Sequence, residues 1–445
     1  MNLIHNEAVV GSDSLHAAGE TREGPLPEPE SYFRGMNGLD DDYDLIIVGC
    51  GLSGCVIAEQ ALKEFGYKSL ILDKRDHIGG NCYDYLDRHG IRVSLYGVHL
   101  FHTKFPRVRE YVQRFSEWMP YEHRVRARVP DIRGEHKSVP VPPVQQAVNT
   151  LFDADVHSEE EMLAWLDARR PKIDEPKNGE EAALSRVGPE LYEKIFKYYT
   201  KKQWDKYPAE LDASVLARIP CRTNTDDRYF GDDWQALPAR GYTRIFENML
   251  YPNKDKIHVR LGVDFFEVRD RLPKHKLLVF TGPIDRYFAG KGLPKLEYRS
   301  LRFECEYHEP EGGYYQEALQ VNYPGMEAPN GDPITYTRIT EYKHKPNQPK
   351  EVHEKPGTVI YKEWSCDDGD PYYPVPNPAN RELYEKYKTM AEEEKGVCFV
   401  GRLASYKYFN MDQAILNALE MFDNMKETGK FEPKTAFTTG VEPKY

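Results

Sequence analysis

The sequence lacks any apolar run approaching the roughly 18 residues that a membrane span requires, which excludes an integral helical membrane protein. It also lacks a basic surplus. A formal charge of −12 argues against a general binder of nucleic-acid backbone, although a local basic pocket stays open. Cysteine is sparse: Cys50, Cys55, Cys82, Cys221, Cys305, Cys366 and Cys398 are seven, an odd count without CxxC spacing. Neither a disulfide framework nor a metal site is indicated, and a reducing, cytoplasmic setting is expected. The stretch 1–42 has no apolar signal core and is rich in Gly, Glu, Pro and Ser, so it reads as a disordered extension outside the fold. There are no internal repeats and no heptads.

What is present suits a soluble globular chain: 40% apolar and 30% charged residues over 445 positions, long enough for two or three domains. Tyr43 to Cys50 (YDLIIVGC) reads as a buried parallel strand, Cys55 to Phe65 as a helix, and Ser69 to Asp73 as a second strand. That is a βαβ opening. Residues 140–150 read as a crossing segment, 158–217 as helical, and 255–285 as short strands. Positions 296–365 alternate aromatic and β-branched residues in strand fashion. Cys398 to Gly401 is a further buried strand, and a helix starts at Met411.

Gly49, Gly51 and Gly54 form G-x-G-x-x-G between the first strand and its helix. Glycines there permit the tight turn and bring backbone N–H groups and a helix N-terminus up to a pyrophosphate. Asp73 closes the second strand 19 residues after Gly54, where a carboxylate can accept a ribose hydroxyl. A second glycine pair, Gly79 and Gly80, follows within Asp73-Lys74-Arg75-Asp76-His77-Ile78-Gly79-Gly80-Asn81. A simple NAD enzyme does not need that run. FAD enzymes of the glutathione-reductase and amine-oxidase class use it to pass backbone close to the cofactor, so FAD is the expected cofactor.

Beyond this point whole blocks resemble the UDP-galactopyranose mutase family. They are Ile78 to Asp84, Tyr96 to Thr103, Tyr199 to Trp204, Arg218 to Arg222, Asp227 to Phe230, Pro238 to Thr243, Tyr336 to Glu341 and Gly401 to Tyr408. They run in family order over about residues 43–425. Ser94, Val98, Asn410 and the VPVPPV run Val139 to Val144 depart from the usual pattern. The resemblance implies a non-redox interconversion of UDP-galactopyranose and UDP-galactofuranose. It requires reduced FAD, whose N5 attacks the anomeric carbon while UDP departs and later returns.

The same resemblance distributes roles. Arg218 on a mobile loop and Arg338 across the cleft pair with the diphosphate, as guanidinium groups do without losing their charge. Phe196, Tyr199, Trp204, Tyr229 and Phe230 offer aromatic faces to uracil. Phe196 and Tyr199, three apart on a helix, are expected on one face. His99 stands beside the flavin, with His102 a secondary candidate. The cofactor set adds Lys74, Asn81, Val263, Gly401, Arg402, Met411 and Asp412, the last two at a helix N-terminus that favours an anionic flavin. Tyr373, Tyr408 and Asn410 complete the substrate set. Arg222 and Arg228 read as structural.

The expected fold class is α/β: an FAD-binding, glutathione-reductase-like domain with a helical insert domain and an antiparallel sheet domain. The expected segments are 43–135, 252–290 and 380–430 for FAD, 136–217 for the helices, and 218–251 with 291–379 for the sheet. Expected partners are the UDP-sugars and a reductant such as NAD(P)H, with a homodimer or larger homo-oligomer. An ordinary flavin oxidoreductase would instead be reduced stoichiometrically by its substrate. A non-catalytic UDP-sugar binder would turn nothing over.

Overall fold

The computed structural model describes residues 35–217 and 219–428. Five short apolar strands form one all-parallel sheet in the order Ile257–Arg260, Ser69–Leu72, Asp42–Val48, Lys274–Phe280, Val397–Phe399. Parallel neighbours need crossovers, and the helix Leu52–Phe65 supplies the first of them. The sheet is covered on both faces, which is why its strands read as continuous apolar runs. On one face Val56, Ile57 and Ala61 meet Ile415, Leu419 and Phe422 of the helix Met411–Thr428. On the other lie Phe265, Phe280, Phe288, Tyr387 and Phe399.

A seven-stranded sheet stands beside it, in the order 373–374, 298–308, 358–366, 338–341, 320–322, 125–130, 136–141. Its pairings are antiparallel except where 320–322 meets 125–130, which run parallel. The helices between 145 and 217 pack on one end of this sheet, sharing a core in which Val125, Val129 and Val141 meet Leu151, Leu166 and Leu191. A capping box of Ser158 and Glu161 starts the helix Glu159–Asp167.

Several boundaries differ from the sequence reading. Strands 125–130 and 136–141 lie in the antiparallel sheet, so VPVPPV is partly an edge strand, where proline costs no ladder hydrogen bond. The strand Trp234–Pro238 and helix Tyr242–Leu250 pack on the parallel-sheet core through Leu237, Ile245 and Phe246, not on the sheet domain. Much of the expected extension (1–34) lies outside the described residues. Its last part is docked, with Met36 and Leu39 against the core and the Arg260 guanidinium donating to the Gly38 carbonyl at 3.4 Å.

Candidate active site

The two glycine motifs build one wall of a cavity of about 810 Å³. Gly49 has φ +107°, and a Cβ there would fall 2.1 Å from Thr281 Oγ1. At Gly54 the backbone is helical, yet a Cβ would fall 2.1 Å from the Gly49 carbonyl oxygen. The third glycine is therefore demanded by the closeness of helix to turn. Gly80 crosses Gly51 so tightly that its Cβ would lie 2.9 Å from Gly51 Cα. The helix begun at Gly51 has no side-chain cap, which leaves its first N–H groups for an anion. A bare-backbone cradle continuous with a long cavity fits an extended dinucleotide, and its size is near the upper end for small-molecule sites.

Asp73 lines that cavity, but both its oxygens are already engaged. Oδ2 accepts the Cys50 N–H at 2.7 Å and Oδ1 the Arg75 N–H at 2.9 Å, so the carboxylate ties the two turns together. Each oxygen keeps a second lone pair for a ribose hydroxyl. Lys74, Asn81 and Val263 also line the cavity, and the Val263 N–H donates to the Asp73 carbonyl at 2.9 Å. Lys74 and Arg75 both pair with Asp370, which brings the loop before Tyr372 over the cofactor side.

Gly401, Arg402, Asn410 and Met411 also line the cavity, Gly401 so close to the first helix that a Cβ there would fall 2.7 Å from Ser53 Oγ. Arg402 is held at both ends, its Nε donating to the Phe409 carbonyl at 3.1 Å and Nη1 to the Tyr372 carbonyl at 3.0 Å. Asp412 does not line the cavity. It is buried, its carboxyl pushed up by desolvation, next to the Thr103 hydroxyl and the charges of His102 and Asp232. His99 does line it, and its Nδ1 lies 2.9 Å from the Gly97 carbonyl. A carbonyl only accepts, so the proton sits on Nδ1 and Nε2 is left as an acceptor. Burial, then the charges of Arg402 and Lys345, lower this imidazole to about 4.

Arg402 joins the cavity to an aromatic wall. Its guanidinium lies 5.5 Å from the Tyr373 ring and 5.7 Å from that of Tyr408. The two rings stack at 5.2 Å, and Trp204 meets Tyr408 at 6.3 Å. Across from them stands Arg338, directly opposite Glu363 in the sheet and paired with it at 2.8 Å. Among the described residues neither Glu363 oxygen has a well-aligned hydrogen-bond donor, so the contact is chiefly electrostatic. Burial opposes the charge of Arg338, but Glu363, Tyr199 and Tyr373 outweigh it and hold the guanidinium well above its usual range. Its buried Nε–H has no hydrogen-bond partner among the described residues, a donor available to a ligand.

Not every expected site residue comes to this wall. Phe196, 3% exposed, stays within the core of the helical segment, whereas Trp204, 4% exposed, belongs to that core and still borders the wall at Tyr408. Phe196 lies in the π-turn Tyr192–Lys197 and is buried, whereas Tyr199, on the α-helix that follows, is only partly buried. Tyr229 and Phe230 form a neighbouring group, where Phe230 stacks on His102 at 3.7 Å and the Tyr229 N–H donates to the His123 carbonyl at 2.7 Å. His102 pairs with Asp232 at 2.6 Å and is a support for Phe230. Arg222 and Arg228 are absorbed locally, the latter by Asp226. Arg218 lies outside the described residues.

Glu363, His123, Thr281 and Asp370 escaped the sequence reading. They come from segments far apart in the chain, and no local pattern marks them. His123 is also buried neutral, lowered to about 3 by desolvation and then by Arg338 and His102. Below pH 6.5 the unfolded chain protonates both imidazoles while the folded one does not, until about 4 for His99 and 3 for His123. Stability is therefore full above pH 6.5 and falls as pH drops from there toward 3. Replacing both histidines by asparagine should flatten that acid slope in urea titrations, and an unchanged slope would contradict the assignment.

Comparison with known proteins agrees with this geometry. Residues 194–408 match the model of the UDP-galactopyranose mutase family, and residues 47–115 that of an NAD(P)-binding Rossmann-like domain. A probable UDP-galactopyranose mutase of Klebsiella pneumoniae is 39% identical over 403 residues, 89% of this chain and 99% of that protein. A dTDP-fucopyranose mutase of Escherichia coli is 38% identical over 384 residues, 84% and 96% of the two chains. A crystal structure of reduced UDP-galactopyranose mutase superposes with a TM-score of 0.67 at 17% identity, over 89% of this chain and 96% of the other, which speaks for the fold. On both the sequence relationship and the site, this chain belongs to the UDP-galactopyranose mutase family.

Proposed function

We propose that the protein interconverts UDP-galactopyranose and UDP-galactofuranose with FAD bound in the cavity. The observation that carries the reading is Arg338, with a spare buried donor, facing a tyrosine wall that Arg402 joins to the glycine-lined cavity. Reduced FAD supplies, when bound, an N5 nucleophile for the anomeric carbon. The protein's own groups do the rest. Arg338, with Arg218 as its counterpart, holds the diphosphate while it carries the departing negative charge, in a site where burial strengthens the attraction. Tyr373 and Tyr408 present hydroxyls and one stacked face, and His99 offers a proton-free Nε2 at the cavity wall. Isomerisation consumes no electrons, so an external donor such as NAD(P)H is needed only to keep the flavin reduced.

A second substrate reading has its own observation: the dTDP-fucopyranose mutase relative is nearly as similar as the UDP-galactopyranose mutase relative. The test offers UDP-galactofuranose and dTDP-fucofuranose separately to the purified protein, with and without dithionite, and resolves products by chromatography. Reduction-dependent conversion of the uridine sugar is the expected result. Conversion of the thymidine sugar alone would move the protein to the second reading, and no conversion of either by a protein that is yellow as purified and bleached by dithionite would overturn mutase activity.

A further inference from the structure

The helix Tyr198–Trp204 carries Tyr199 and Trp204, and between them Lys202 reaches a connection of the antiparallel sheet. Its Nζ donates to the carbonyls of Gly325 and Tyr336, each at 2.9 Å, to that of Ile334 at 3.4 Å, and to that of Tyr323. All four carbonyls belong to one connection, which leaves the strand Gln320–Asn322 and re-enters the sheet at Arg338. An ammonium has three protons and no preferred plane, so it suits a ring of convergent carbonyls better than a flat guanidinium would. Burial works against the charge of Lys202, and no acidic group among the described residues offsets it. The four carbonyl dipoles remain to hold the ammonium, and it in turn holds them together.

Other anchors fix the end of this helix without touching that connection. The Gln203 carbonyl accepts Ser365 Oγ at 2.5 Å and Arg299 Nε at 3.3 Å, tying the helix to the strands 358–366 and 298–308. Lys202 supplies the reach to the loop itself. We propose that Lys202 is a positioning residue for the nucleotide-sugar site: its ammonium fills a four-carbonyl cage that locks the helix of Tyr199 and Trp204 to the loop that delivers Arg338. The inference rests on the reading above in so far as the ligand is a uridine nucleotide, but the cage itself does not depend on it.

The test uses the flavin-loaded full chain and UDP as the probe. Lys202→Ala should weaken UDP binding about tenfold or more, the scale of lost hydrogen bonds to a charged group. The Michaelis constant for the sugar nucleotide should rise more than turnover falls. Truncation to alanine removes the equivalent of n-propylammonium, so adding that cation should restore UDP affinity. Tetramethylammonium, which has no N–H, should not, and Lys202→Met, whose thioether occupies the channel, should stay weak in either salt. Unchanged UDP affinity in both variants would overturn the proposal, as would a folded Lys202→Ala protein that n-propylammonium does not restore. If Lys202→Ala does not fold, the affinity of Lys202→Met decides. If the unaltered protein fails to bind UDP, the functional reading falls instead. The cage is then judged by melting temperature: a gain with n-propylammonium specific to Lys202→Ala supports it, and no gain overturns it.

Discussion

Arg338→Met is expected to lower turnover on the order of a hundredfold or more while FAD stays bound, the scale seen when one preorganised donor to developing charge is removed. It should also destabilise the fold. Glu363 is 1% exposed and faces Arg338 across the sheet, so the substitution strands a carboxylate in the interior. Breaking one partner of a buried pair costs about 3–5 kcal/mol. The two losses have different causes and can be separated. Adding Glu363→Gln removes the stranded charge, so the double variant should regain most of its stability and none of its turnover. Thermal melts with steady-state rates on the three proteins check this. Near-normal turnover in Arg338→Met would show that the guanidinium does not serve the diphosphate. A double variant as unstable as the single one would show that the ion pair is not what the fold loses.

Gly54→Ala should empty the protein of flavin. Helix propensity alone points the other way, since alanine is favoured over glycine by about 1 kcal/mol inside a helix. The contact decides. An added Cβ would lie 2.1 Å from the Gly49 carbonyl and 3.1 Å from Ile47 Cγ2. The first of these is backbone, and it cannot retreat freely because the Gly49 N–H is bonded to the Leu72 carbonyl at 2.8 Å. Overpacking costs about 1–3 kcal/mol, more than the propensity gain, and here the strain falls on the turn that must meet the pyrophosphate. The expected result is less than about a tenth of the normal flavin absorbance per chain, together with a lowered melting temperature. Full flavin content in Gly54→Ala would mean that helix and turn are looser than they stand here.

Local patterns reached far into this molecule. The run LIIV, the spaced glycines and the acidic end of the second strand are each set by neighbours in the chain, and the strand, turn and helix they predict are those observed. The helix from Met411 and the strand-rich stretch before Cys366 were legible for the same reason, since periodicity is a property of adjacent residues. The π-turn over Tyr192–Lys197 was not, because nothing in YEKIFK distinguishes it from an α-helical turn.

What the sequence by itself determined is therefore the dinucleotide-binding opening, the three-part composition of the fold and, through its ordered blocks, the family. Only the tertiary structure decided how these parts make a site. It set Glu363 opposite Arg338, wrapped the ammonium of Lys202 in four carbonyls from a loop more than a hundred residues away, and turned Phe196 into core. It also moved 125–141 into the antiparallel sheet and 234–250 onto the parallel one. The physical reason is common to all of these. A short-range pattern fixes the conformation of a segment, whereas the partner that a charge or an edge strand finds depends on which distant segments the packed core brings alongside it.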